Sequence, residues 1–150
     1  MTVLYDYWRS SAAYRIRIAL AVLKLPHASI PVDLVKGEQR SPENLARNPQ
    51  GLVPTLAIDG LVLTQSLAIL EYLDETRAAG FLPHDAAGRA RVRALAYAIA
   101  METSPVSNLS VRSYAAEIAK GAITADDWQA HFIAKGLAGF EAMLDHHSVG

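Results

Sequence analysis

The chain has 150 residues, of which 51% are hydrophobic and 19% are charged, a composition that can bury a core and that excludes an intrinsically disordered protein. Its 14 basic and 15 acidic residues leave a formal charge of −1, without the basic surplus of a nucleic-acid-binding protein. The chain has no cysteine, which excludes disulfides, thiolate metal sites and a thiol nucleophile of its own, so any thiol chemistry must use a borrowed thiol.

The amino-terminal segment predicts a strand followed by a helix. Residues 2–7 are rich in β-branched and aromatic side chains, and residues 12–25 carry apolar side chains at helical spacing. Asp6 and Arg9 interrupt the apolar run, so this segment predicts neither a secretion signal nor a membrane span. We therefore expect a cytoplasmic protein.

A second strand and a short helix follow. Residues 29–35 are again β-branched and predict a strand. Ser41 followed by Pro42 is typical of a helix start with an N-cap serine, and Gly51 is expected to end that helix.

A hairpin and a helix complete the first half. Apolar runs flank Asp59–Gly60, a dipeptide that tolerates the positive φ angles of a two-residue turn. Ser66 then opens a helix whose inward stripe is expected to consist of Leu67, Leu70 and Leu73. The predicted order is β-α-β-α-β-β-α, an α/β domain over residues 1–80.

The remaining sequence predicts helices only. Residues 85–120 are alanine-rich and lack strand patterning, although Pro105 should kink or divide the helix there. Thr124 before an acidic first turn predicts a further helix, whereas residues 145–150 carry no ordering signal. We therefore expect an all-helical second domain over residues 86–150.

Residues 9–17, RSSAAYRIR, place two hydroxyls between a strand and the first turn of a helix. Free backbone N–H groups and the positive end of the helix dipole favour anions there, and a serine hydroxyl can add a donor toward a thiolate or carboxylate. Arg9 and Arg15 could supply positive charge. The plain alternative is that Ser10 and Ser11 only cap the helix.

Two further segments carry candidate ligand contacts. In NPQGLVPTL, residues 48–56, a cis bond before Pro54 would let the Val53 main chain face a ligand, and an ordinary trans proline is the alternative. Gln65 and Ser66 stand at another helix start, where amide, hydroxyl and backbone donors could hold a carboxylate unless Ser66 is a simple N-cap.

The adjacent histidines His146 and His147 are the remaining feature that could bind a metal. They lack a third ligand, which is typical of a solvated tail, so we assign no metal site.

Together the three segments resemble the zeta class of glutathione transferases, whose best-known activity is maleylacetoacetate isomerisation. RSSAAYRIRIAL resembles the class signature, and QSLAILEYLDE resembles the segment that recognises the glutamyl group. The likeness extends from Leu4 to the late helix around Leu144. It implies glutathione as cofactor, a thioredoxin-like first domain and an all-α glutathione-transferase second domain that is incomplete at Gly150.

The resemblance also implies roles for individual residues. Ser10 would orient and stabilise the glutathione thiolate, and Ser11 would assist. The other glutathione contacts would come from Gln39 at the glycyl end, Val53 and Pro54 at the cysteinyl backbone, and Gln65 and Ser66 at the γ-glutamyl carboxylate.

Substrate contacts are implied near TSPVSNLSV. Asn108 fits the family there, whereas Ser104 stands where relatives have histidine or glutamine. Arg9 and Arg15 are candidates for holding the substrate carboxylate, because the late arginine used by the family lies beyond these 150 residues. Ala12 replaces the cysteine of many zeta enzymes, which disfavours thiol-exchange dehalogenation.

The implied function is a glutathione-dependent cis–trans isomerase acting on maleylacetoacetate in tyrosine and phenylalanine catabolism, together with glutathione transferase activity. Maleylpyruvate is the alternative substrate, because both compounds present a cis-enone and a carboxylate. A non-catalytic glutathione-fold interaction module is the alternative from another class. We also predict a homodimer, with neither nucleic acid nor a membrane as a partner.

Overall fold

The computed structural model describes the backbone of residues 1–148 and the side chains of residues 1–146. The chain divides into two units, of which the first spans Met1–Phe81 and the second begins at Leu82. Along the chain, this boundary falls at the Leu82–Pro83 segment.

The first unit contains a four-stranded mixed sheet. Its strands are β1 (Val3–Asp6), β2 (Ala28–Pro31), β3 (Thr55–Ile58) and β4 (Leu61–Thr64), in the spatial order β2-β1-β3-β4. β2 runs parallel to β1, whereas β3 is antiparallel to both β1 and β4. Asp59 and Gly60 join β3 to β4 with φ angles of 53° and 79°, which confirms the predicted hairpin turn.

The helices of the first unit are α1 (Ser11–Val22), α2 (Pro42–Arg47) and α3 (Ser66–Arg77), with a short 3₁₀ turn at Glu38–Arg40. The predicted order β-α-β-α-β-β-α is therefore confirmed. The core lies between the sheet and two of the helices, and it comprises Leu4 and Leu56 from the sheet, Ile16 and Leu20 from α1, and Ile69 and Leu73 from α3. Burying a side chain of this kind contributes roughly 1.5–3 kcal/mol.

Helix α1 ends earlier than predicted. It stops at Val22 rather than at Leu25, because Lys24 adopts a left-handed φ of 51°. The Leu25 N–H then donates to the Leu20 carbonyl at 2.9 Å, which closes the last turn.

The second strand and the second helix are also shorter than predicted. β2 ends at Pro31 rather than at residue 35, because the Asp33 carboxylate accepts hydrogen bonds from two following main-chain N–H groups and turns the chain. α2 ends at Arg47 rather than near Gly51, because Pro49 disfavours helical backbone at the residue before it.

The buried face of α3 differs from the predicted leucine stripe. Of the predicted residues, only Leu73 is fully buried, whereas Leu67 and Leu70 are partly buried. Ile69 and Ser66 complete the buried face. The side of α3 that packs against the core is therefore rotated about the helix axis relative to the predicted side.

The second unit begins with α4 (Ala86–Tyr97), which continues into a π-helical segment at Ala98–Thr103 and a single turn, α5 (Ser104–Val106). After Asn108, α6 covers Leu109–Ile118. The predicted division near Pro105 is present, because α5 ends at Val106, one residue after the proline.

Helix α7 (Ala125–Ser148) starts at the predicted N-cap. The Thr124 hydroxyl accepts from the Asp127 N–H at 3.0 Å, and the Asp127 carboxylate accepts from the Thr124 N–H at 3.1 Å. The prediction that order is lost from Asp145 onward was wrong as far as Ser148, because no proline or glycine stops the helix there. Residues 149 and 150 lie outside the described residues, as do the side chains of residues 147 and 148.

Helix α7 approaches the π-helical segment closely at Gly136. A Cβ atom at this position would lie 2.6 Å from Thr103 Cγ2, which is far inside van der Waals contact. The approach of these two elements therefore requires glycine at Gly136.

Candidate functional site

Sheet topology brings the segments singled out by the sequence to one edge of the sheet. Because β3 is antiparallel to both of its neighbours, the carboxyl ends of β1 and β4 and the amino end of β3 lie together. The register aligns Tyr5, Thr55 and Thr64 in one row across these strands. The β1–α1 turn, the segment before β3 and the start of α3 all lie just beyond that row, so the three segments converge.

Ser10 occupies the N-cap of α1. Its Oγ accepts a hydrogen bond from the Ala13 N–H at 3.2 Å, so Ser10 does cap the helix. Capping occupies only a lone pair, which leaves the hydroxyl proton for a ligand acceptor. Within the described residues, the N–H groups of Ser11 and Ala12 also have no partner, so the positive end of the α1 dipole is open.

The peptide bond between Val53 and Pro54 is cis. Both residues are buried, and the Val53 main chain makes no hydrogen bond to any residue that the structure describes. The buried Asn48 side chain shapes the preceding turn, because it donates to the Leu52 carbonyl at 3.0 Å and accepts from the Gln50 N–H at 3.1 Å. This arrangement leaves the Val53 N–H and C=O for pairing with an extended peptide.

Gln39 lies in the 3₁₀ turn ahead of α2. The Asn44 side chain donates to the Gln39 carbonyl at 2.9 Å and anchors the turn. The Gln39 amide nitrogen lies 3.4 Å from the Leu34 carbonyl, and its amide oxygen is buried without a partner among the described residues. That oxygen is an unsatisfied acceptor inside the protein.

Gln65 holds the N-cap position of α3, and Ser66 is the first helical residue, so the interpretation of Ser66 as a simple N-cap was wrong. Gln65 has φ 65° and ψ 108°, a conformation that costs roughly 1–3 kcal/mol in a residue other than glycine. Its side chain caps no helical N–H and instead donates to Gln50 Oε1 at 2.7 Å. The uncapped start of α3 therefore favours an anion.

Ser66 is 6% exposed, and its hydroxyl contacts Arg15 of α1. The Arg15 Nε and Nη2 donate to Ser66 Oγ at 3.2 and 3.1 Å. Desolvation by burial lowers the pKa of the Arg15 guanidinium from its ordinary value. Arg9, by contrast, is exposed, and its guanidinium carbon lies 5.6 Å from the centroid of the Trp8 ring.

Known proteins resemble this chain along nearly all of its length. Residues 2–75 match the family described as glutathione S-transferase, N-terminal domain. The chain is 56% identical to the maleylacetoacetate isomerase of Rhizobium meliloti, over 99% of this chain and 71% of that protein. The solved structure of maleylpyruvate isomerase, a bacterial glutathione transferase of the zeta class, matches with a TM-score of 0.86 and 38% identity, over 93% of this chain and 67% of the other. The chain belongs to the zeta-class glutathione transferases.

A second solved structure supports the same placement of this zeta-class chain. The maleylacetoacetate isomerase of Methylobacterium extorquens AM1, which contains bound malonate and glutathione, matches with a TM-score of 0.86 and 39% identity. The match covers 95% of this chain and 68% of the other. The implied thioredoxin-like first domain and helical second region are therefore confirmed.

The predicted substrate residues Ser104 and Asn108 belong to the second unit of this zeta-class chain. Ser104 is partly buried at the start of α5, and Asn108 is exposed at the N-cap position of α6, where its side chain caps no N–H. Their roles in substrate binding stay predictions.

The described part of the chain contains no group of three or more His, Asp or Glu side chains that could hold a metal ion. In the same residues, no helix is both long enough and apolar enough to cross a membrane.

An ion pair that the sequence did not predict supports the turn between β1 and α1, here called the Ser10 turn. Arg17 Nη1 donates to Asp6 Oδ2 at 2.7 Å, and Arg17 Nη2 donates to the Trp8 carbonyl at 3.1 Å. The guanidinium therefore ties the end of β1 to the turn that leads to Ser10. The signal in the sequence was an aspartate two residues after Leu4, which places a carboxylate on the buried side of β1.

Proposed function

We propose that this chain is a glutathione-dependent cis–trans isomerase that acts on maleylacetoacetate. The observation that carries the proposal is the convergence at one sheet edge of an open helix start at Ser10, a free main chain at Val53 and an uncapped helix start at Ser66. These features suit the thiol, the peptide backbone and the γ-glutamyl carboxylate of glutathione. Relatives solved with bound glutathione support the proposal.

In the proposed mechanism the thiol comes from bound glutathione, because the chain has no cysteine. Bound glutathione supplies a thiolate that adds to the cis double bond, permits rotation about the resulting single bond and is then released unchanged. The Ser10 hydroxyl and the Ser11 N–H stabilise the negative charge on sulfur, which lowers the thiol pKa from about 8.5. Gln65 and Ser66 hold the γ-glutamyl carboxylate, and the Val53 main chain orients the cysteinyl residue.

Two substrates remain in the proposal. The identity of 56% to a maleylacetoacetate isomerase favours maleylacetoacetate, and the 38% identity to a maleylpyruvate isomerase keeps maleylpyruvate as the alternative. Within the first unit, Arg9 is the candidate for binding the substrate carboxylate. It is exposed just before α1, whereas Arg15 contacts Ser66. A cytoplasmic location and a role in tyrosine and phenylalanine catabolism belong to the same proposal.

Glutathione is expected to raise the melting temperature of the 150-residue chain, because the proposed contacts lie in the first unit. At a hundredfold excess over the dissociation constant, a ligand that binds only the folded state adds about 2.7 kcal/mol to the free energy of unfolding. Scanning calorimetry measures the shift, and the α-glutamyl isomer of the tripeptide is the matched control.

An unchanged melting curve at saturating glutathione would overturn the proposed function. A chain that binds glutathione and isomerises neither maleylacetoacetate nor maleylpyruvate would instead be the non-catalytic interaction module.

We also propose a homodimer. The edge strand β4 exposes Leu61 and Val62, and the second unit exposes Met101 and Tyr114, apolar side chains that a partner copy would cover. Light scattering at micromolar concentration is expected to report twice the chain mass, and Val62→Lys is expected to shift the equilibrium toward monomer. A monomeric wild-type chain would contradict this proposal.

A further inference from the structure

The Ser66 hydroxyl can both accept and donate hydrogen bonds, and it accepts from Arg15. A serine Oγ offers two lone pairs and one proton. The Nε and Nη2 groups of Arg15 both donate to this oxygen, at 3.2 and 3.1 Å. Because a guanidinium has donors only, the hydroxyl must accept from Arg15, and its proton stays available for another acceptor.

The Ser66 proton has no acceptor among the described residues. The hydroxyl belongs to the first residue of α3, where the helical N–H groups are also uncapped. In the same part of the molecule, Arg15 is partly buried and forms no ion pair with a described residue. Several donors and a cation thus meet at one place without an acceptor, a mismatch that an anion corrects.

We propose that Arg15 is a positioning residue, which holds the Ser66 hydroxyl so that its proton is donated to the γ-glutamyl carboxylate of glutathione. This inference rests on the proposed function. It assigns Arg15 to the glutathione carboxylate through Ser66 and not to the carboxylate of the substrate.

The shape of the guanidinium is essential to this role. Two neighbouring N–H groups of Arg15 converge on one oxygen from the same side, so they fix the direction from which the hydroxyl accepts. The ammonium of a lysine has no such planar fork, so it would fix the orientation of the hydroxyl less well. Arg15→Lys therefore tests orientation while it keeps the positive charge and most of the aliphatic stem.

Calorimetric titration of the 150-residue chain tests the inference with two ligands. One is glutathione, and the other is γ-aminobutyryl-cysteinylglycine, which lacks the γ-glutamyl carboxylate. Arg15→Met and Ser66→Ala are each expected to weaken glutathione binding about tenfold or more, and Arg15→Lys is expected to weaken it by less. None of these variants should change the affinity for the decarboxylated ligand. Lys24→Met removes a positive charge from the far end of α1 and should change neither affinity.

The double variant Arg15→Met/Ser66→Ala separates the possible roles of Arg15. We expect it to bind glutathione as weakly as Ser66→Ala alone, because Arg15 acts through the hydroxyl. If Arg15→Met weakens glutathione binding by the same factor in the wild-type chain and in the Ser66→Ala variant, Arg15 contacts the ligand directly. The inference is then wrong. Equal losses for both ligands would also overturn it, since they indicate a general structural role. Failure of the wild-type chain to bind glutathione would instead reject the proposed function.

Discussion

Replacing Ser10 with alanine is expected to slow isomerisation by about 100- to 1000-fold, because it removes a preorganised donor to developing negative charge. The pKa of the bound glutathione thiol should rise, so that thiolate absorbance titrates at higher pH. Glutathione affinity should fall much less, since Gln39, Val53, Gln65 and Ser66 make most of the proposed contacts. Ultraviolet titration of the bound thiol and isomerase kinetics measure these effects.

The capping role of Ser10 requires a control, because its Oγ also accepts from the Ala13 N–H. Loss of that cap alone costs about 1 kcal/mol of stability. Ser10→Asp preserves a good N-cap and places a negative charge beside the thiolate, so it should retain the melting temperature and still raise the thiol pKa. Ser11→Ala should have a smaller effect on both. If Ser10→Ala only lowers the melting temperature, Ser10 is a cap, and Ser11 or the backbone stabilises the thiolate.

Replacing Arg17 with methionine is expected to lower the free energy of unfolding by about 2 kcal/mol, because it leaves the buried Asp6 carboxylate without its partner. The Arg17 side chain is 30% exposed, so the loss should stay below that for a fully buried ion pair. Asp6 is 6% exposed, and its Oδ1 has no partner within the described residues even when Arg17 is present. Removal of the guanidinium leaves a buried charge without compensation. Urea unfolding followed by circular dichroism measures the loss.

Lys36→Met is the matched control for Arg17→Met. The Lys36 ammonium lies 3.5 Å from the Asp33 carboxylate, but its side chain is 74% exposed, so the loss should be much smaller than for Arg17→Met. The double variant Asp6→Asn/Arg17→Met should recover part of the stability, because the uncompensated charge is then absent. If Arg17→Met costs no more than Lys36→Met, the pair does not stabilise the Ser10 turn.

Much of the fold was predictable because its signals are local. The turn at Asp59–Gly60 depends on which residues accept positive φ, and the caps at Ser41 and Thr124 depend on hydrogen bonds to N–H groups three residues away. Alternation of strand and helix patterns was enough to predict the order of elements. Helix and strand ends were less predictable, because small shifts such as the left-handed Lys24 depend on packing as well as on propensity.

By itself, the sequence determined the order of elements, the absence of a protein thiol and the candidate residues of each segment. The tertiary structure decided which of those residues meet. Arg15 and Ser66 are 51 positions apart, so their contact depends on how α1 and α3 pack together. The Asp6–Arg17 pair likewise joins a buried carboxylate at the end of β1 to the helix that follows it. Local propensity carries no information about such distances. The Arg15–Ser66 distance is set only when β3, antiparallel to both β1 and β4, brings the carboxyl ends of those two strands to the same edge.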